Sequence, residues 1–162
     1  MIVVTAPNEV HSLEDHANIS LFLAGGITNC PDWQTEMLAR LEASHVSRRL
    51  TVYNPRRQDF DIKNPKASEE QVVWEFERLM AADVISFWFA PGSVNPIVFY
   101  ELGMWGNSRA DQPMVVGCDP EFTRVQDVVI QTQLARPGLE VFKTFDHMIT
   151  GLIMVLDDVR RG

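Results

Sequence analysis

Short apolar runs rich in β-branched and aromatic residues recur along the chain at Leu21–Ala24, Leu50–Asn54, Val84–Phe89 and Met114–Gly117. Between and after them, apolar positions return at helical spacing, which predicts helices over roughly Asp32–Ser44, Glu69–Ala82, Ile97–Asn107 and Phe145–Arg160. The strand segments are nearly continuous in apolar character, as expected for strands buried on both faces. Strand, helix, strand at this spacing is the sequence form of βαβ units, so an α/β fold with a parallel sheet covered on both sides is expected. Ile2–Thr5 adds a further short strand, making five. The stretch Cys118–Gly138 is expected to hold a short helix and an excursion toward a neighbouring subunit.

Local punctuation sharpens these boundaries. Ser68 followed by Gln71 reads as a capping box opening the second helix. Asn95-Pro96 reads as an N-cap followed by proline at the first position of the third. Ligands of open parallel sheets bind beyond the carboxyl ends of the strands. That rule selects the loops Gly25–Asn29, Pro55–Arg57 and Ala90–Asn95, and the turn at Cys118-Asp119.

Composition narrows the function classes. The 162 residues suit one domain spanning 1–162, and a net charge of −8 argues against binding a nucleic acid polymer. Small-molecule partners fit better, because a few local donors suffice for one ligand. No apolar run approaches the roughly 18 residues that span a bilayer, and Met1–Thr5 lacks a basic leader. A soluble, cytoplasmic protein without membrane partners is expected. Cys30 and Cys118 are the only cysteines and form no metal-ligand spacing. They read as reduced thiols, and neither a metal nor a cofactor is called for.

Candidate chemistry centres on carboxylates. Ile97, Glu101, Met104 and Trp105 share one face of the third helix, which puts Glu101 inside an apolar stripe. A carboxylate there needs partners or a task; burial would raise its pKa, and the helix N-terminus would lower it. Glu75 flanks the face formed by Val72, Phe76, Leu79 and Met80, and reads either as a boundary residue or as a second carboxylate. Glycosidic bond cleavage typically uses two such groups. Gly25 and Gly26, directly after a strand, allow close backbone approach to a ligand. Arg56 and Arg57 could hold a phosphate, stack on a base or simply be solvated. Trp33, beside Asp32, could stack on a base or pack in the core. His11, His16, His45 and His147 are given no role.

These segments together resemble the nucleoside 2-deoxyribosyltransferase superfamily, in its deoxyribosyltransferase-like branch. The likeness is carried by Phe22–Ile27, Cys30–Gln34, Tyr53–Arg57, Trp74-Glu75, Ala82–Phe89, Phe99–Gly103 and Gln126–Gln131, in order over roughly residues 20 to 135. It implies a three-layer α/β/α, flavodoxin-like doubly wound fold. It also implies homo-oligomers with sites near subunit interfaces, and nucleoside or nucleotide ligands. It places the nucleophile at Glu101 and a base-binding, proton-passing acid at Glu75. Gly25, Gly26, Asp32, Trp33, Arg56, Ser93 and Asn95 then become substrate-binding candidates. Asn95 departs from the family, where an aspartate or a serine is usual. It can hydrogen-bond a base or hydroxyl but cannot supply a proton. The reading is an enzyme acting on an N-glycosidic bond by transfer or hydrolysis. Its rival is a non-catalytic nucleotide-sensing module on the same fold. A flavodoxin-like electron carrier fits less well, since the first loop lacks the usual hydroxyl run.

Overall fold

The second strand, β2 (Ile19–Gly25), is buried along all but its first residue, and β3 (Leu50–Asn54), β4 (Val84–Phe89) and β5 (Met114–Cys118) are buried throughout. This is why they read as unbroken apolar runs. A computed structural model describes residues 1–8, 18–57, 63–108 and 111–161. Two further strands, β1 (Ile2–Thr5) and β6 (Val141–Phe142), flank the sheet. Six strands in the order β1-β3-β2-β4-β5-β6 therefore replace the five expected, and every adjacent pair is parallel.

The helices are α1 (Trp33–Glu42), α2 (Pro65–Ala81), α3 (Pro96–Ser108), α4 (Val125–Ala135) and α5 (Phe145–Arg161), with a 3-10 turn at His45–Arg49. Alternate residues of each strand feed opposite layers. Ile85, Phe87 and Phe89 of β4 pack with Trp74 and Leu79 of α2 and with Val98, Leu102 and Trp105 of α3. Val84 and Trp88 join Met37 and Leu41 of α1, and Met148 and Leu152 of α5, on the other side. The result is the three-layer, flavodoxin-like arrangement. Strand order reverses between β2 and β4, which makes a crevice beyond Gly25 and Phe89 the topological switch point.

Some boundaries differ from the sequence reading. The helix α2 starts at Pro65, because Asn64 caps it: its Oδ1 accepts from Lys66 N at 3.1 Å and Ala67 N at 3.5 Å. Ser68 and Gln71 are thus inside the helix, not a capping box. The buried side of α2 is formed by Ala67, Gln71, Trp74 and Leu79, while Val72, Phe76 and Met80 lie exposed. On α3, Ile97 is exposed, and Val98, Leu102 and Trp105 supply the core stripe. The stretch after Cys118 contains α4, a full 11-residue helix. His11 and His16 lie outside the described residues. No helix among those described is long and apolar enough to cross a membrane.

Candidate active site

Three of the four loops selected by the carboxyl-end rule converge on one cavity of about 450 Å³. The β2 loop contributes Gly25 to Asn29, the end of β3 contributes Pro55, and the β4 loop contributes Gly92 to Asn95. Helix α2 adds Gln71 and Glu75, and α3 adds Ile97, Val98 and Glu101. Cys118-Asp119 does not line it. The size falls within the range of small-molecule sites, and no Lys or Arg is among its described walls.

Glu75 and Glu101 enter this cavity from different helices, and both are half-buried. Burial pushes the Glu101 carboxyl from its ordinary 4.5 up to about 8, and the negative charge of Glu75 adds to the rise. Desolvation therefore overcomes the pull of the helix N-terminus. Glu75 is raised as well, mainly by burial, against the opposing hydrogen bond from Gln71. At neutral pH the Glu101 carboxyl therefore carries a proton. This is the behaviour of two carboxylates that share a low-dielectric site.

The β2 loop is built for close approach. A Cβ on Gly25 would overlap the ring of Trp33 and crowd the Trp88 carbonyl. One on Gly26 would overlap Asn95 Oδ1 and press on Cys30 Sγ. Asn95 itself takes the left-handed conformation, with φ of 47°, which asparagine tolerates. Its Nδ2 donates to Ser93 Oγ at 2.8 Å, and Ser93 Oγ donates to Ala90 O at 2.7 Å. The chain of bonds aims Asn95 Oδ1 at Gly26. Asn95 is thus a wall of the cavity as well as the residue that opens α3, where its carbonyl accepts from Phe99 N at 3.2 Å.

Arg56, Asp32 and Trp33 stand behind the wall, and none of them lines the cavity. Arg56 Nη2 donates to the carbonyls of Ile27, Cys30 and Pro31 at 3.1–3.2 Å, and Nε donates to Gln34 Oε1 at 2.8 Å. Asp32 pairs with the same guanidinium at 3.3 Å and caps α1 through Thr35. Trp33 Nε1 and Gln34 Nε2 both donate to Gly26 O, at 3.1 and 3.3 Å. These side chains hold the loop's shape. Arg56 thus spends its Nε and Nη2 donors on the loop.

Gln71 is the site residue that sequence reasoning assigned elsewhere. It lies one turn before Glu75, and that spacing was the available signal, since such pairs share a helix face. Among the described residues, no group of three or more His, Cys, Asp or Glu could hold a metal ion.

Comparison with known proteins agrees with this architecture. The profile of a family described as "Nucleoside 2-deoxyribosyltransferase like" matches residues 18–122, which include both glutamates and every loop of the cavity. No curated protein matches the chain. A crystal structure of a conserved protein from Enterococcus faecalis V583 aligns with a TM-score of 0.52 at 14% identity. It covers 90% of this chain and 99% of its own, and at that identity it speaks for the fold alone.

Proposed function

We propose that this chain, which belongs to the nucleoside 2-deoxyribosyltransferase-like family, is an enzyme that breaks the N-glycosidic bond of a nucleoside. Glu101 is the nucleophile and Glu75 the proton donor. The observation that carries the reading is the convergence of two carboxylates, one of them strongly perturbed, on a single cavity at the switch point.

In this mechanism a carboxylate oxygen of Glu101 bonds to C1′ as the C1′–N bond breaks. The bonding pair leaves with the base, whose nitrogen takes a proton from Glu75. The proton that Glu101 holds at rest must therefore pass to Glu75 when substrate binds. The glycosyl ester is then opened by water, giving free sugar, or by the nitrogen of a second base, giving a new nucleoside. In either case Glu75 recovers a proton from the attacking group. Gly25 and Gly26 line the sugar site with backbone, while Ser93 and Asn95 offer hydroxyl and amide contacts.

An uncharged nucleoside fits better than a 5′-nucleotide. No cation is among the described walls of the cavity, and Arg56 is committed to the loop. A phosphate dianion would meet two carboxylates without a charged partner.

The oligomeric reading rests on a separate feature. Val72, Val73, Phe76 and Met80 of α2, with Ile97 and Tyr100 of α3, are exposed, and Ile97 also lines the cavity. Apolar faces of this kind mark association surfaces, and pairing of copies through them gives the homo-oligomer. Two unpaired cysteines support a cytoplasmic location.

The test is chromatographic detection of free base from a panel of nucleosides and 5′-nucleotides, with and without an acceptor base. Release from nucleosides, abolished in Glu101→Ala, is expected. Release in water identifies a hydrolase, and release only with acceptor a transferase. Ligand binding without any turnover would replace this reading with the sensing module.

A further inference from the structure

Gln71 is 7% exposed at the cavity wall. Its Nε2 donates twice, to Pro55 O at 2.8 Å and to Glu75 Oε1 at 2.7 Å. A carbonyl and a carboxylate can only accept, so the amide cannot be reversed without setting oxygen against oxygen. The opposite atom, Oε1, is buried with no hydrogen-bond partner among the described residues. An unpaired buried oxygen is unfavourable, and the two donated bonds are what hold the amide in this orientation. Because Pro55 directly follows β3, Gln71 ties Glu75 to the sheet.

The two glutamates are therefore unequal. Glu75 receives a hydrogen bond from a fixed donor, whereas among the described residues none donates to the Glu101 carboxylate. The other charged groups do not offset this difference. Arg78, one turn further along α2, is turned over the Tyr53 ring at 5.6 Å. The described parts of β2, its loop, the end of β3 and the β4 loop bring no titratable side chain into the cavity, and Cys30 lies behind Gly26. Donation to a carboxylate favours its ionised form.

We propose that Gln71 is a positioning residue that keeps Glu75 fixed and ionised, so that the one proton of the pair rests on Glu101. The inference rests on treating the two glutamates as one acid pair, as the proposed function does. Its consequence is a site that meets the incoming base with a negatively charged, immobile acceptor at Glu75. Glu101 stays neutral until substrate binding draws its proton across.

The test uses the ligand-free protein, so it stands apart from whether the enzyme turns over. Glutamate carboxyl carbons are labelled with 13C and followed by NMR, with Glu75→Gln and Glu101→Gln for assignment. At pH 7 the Glu101 signal is expected at the protonated position and the Glu75 signal at the ionised one. In Gln71→Met the two should move in opposite directions, Glu75 toward the protonated position and Glu101 toward the ionised one. Retention of the wild-type positions in the variant, or a protonated Glu75 in the wild type, would overturn the proposal. Should the variant not fold, the side-chain amide of Gln71 in the unmutated protein reports the same contact. Its signals should move with the acid step that protonates Glu75 and stay still through the step near 8; the reverse pattern would overturn it. Failure of base release with these NMR results intact would sink only the reaction.

Discussion

Arg56 Nε donates to Gln34 Oε1 at 2.8 Å, and Gln34, fully buried, passes the connection on to the carbonyl of Gly26. The guanidinium's fork, not its charge alone, shapes the loop. Arg56→Lys keeps the charge and loses the fork. It should lower kcat/KM roughly equally for a nucleoside and its 5′-phosphate, in a side-by-side steady-state assay. A selective loss on the phosphorylated substrate would instead make Arg56 a phosphate ligand. Gln34→Ala should cost about 1–3 kcal/mol of stability by denaturant unfolding, since it removes two hydrogen bonds from a fully buried side chain.

Gly26 and Asn95 are matched in shape. Gly26→Ala drives a methyl group into Asn95 Oδ1 and should destabilise the protein by about 1–3 kcal/mol while depressing activity. Asn95→Ala removes the obstructing amide. The double variant should be more stable than the sum of the single changes implies, a coupling that a double-mutant cycle measures directly.

Much of this architecture was legible in the sequence, for physical reasons. Strands β2 to β5 are buried on both faces, so their composition alone marks them. β6 escaped because two half-buried residues, Val141 and Phe142, leave no pattern. On α2 the stripe Val72, Phe76, Met80 has helical period, but a period cannot say whether the stripe faces a sheet or lies open. The carboxylates stood out because they interrupt or flank apolar faces. The work of Arg56 stayed hidden because its partners are mainly backbone carbonyls brought together only by the fold. Gln71 read as a cap because Asn64-Pro65, the actual start of the helix, lies further upstream.

Glu101 ties stability to pH. Its folded pKa of about 8 lies above the ordinary 4.5, so between those values the native state binds more protons than the unfolded state. Stability is then full below about 4.5 and declines as pH rises through about 8. Glu75, also raised, contributes in the same direction. Glu101→Gln should therefore match the wild-type Tm near pH 4.5 and exceed it increasingly toward pH 8.5. Activity should also fall above about 8, where Glu101 loses its proton. Calorimetry and a kcat/KM profile across this range check both limbs.

Tyr100 is 68% exposed on the apolar face shared by α2 and α3. If copies associate there, Tyr100→Glu should reduce the mass measured by light scattering after size exclusion to that of one 18.4 kDa chain. An unchanged oligomer would place the interface elsewhere, and a monomeric wild type would remove it.

The central claim is that Glu101 forms a bond to the sugar. The most direct measurement is mass spectrometry of enzyme rapidly quenched in acid during turnover of a nucleoside, followed by proteolysis. A pentosyl adduct is expected on the peptide containing Glu101, absent in Glu101→Gln and discharged when water or acceptor base is given time to react. Base release with no adduct at any quench time, or an adduct on another side chain, would contradict it.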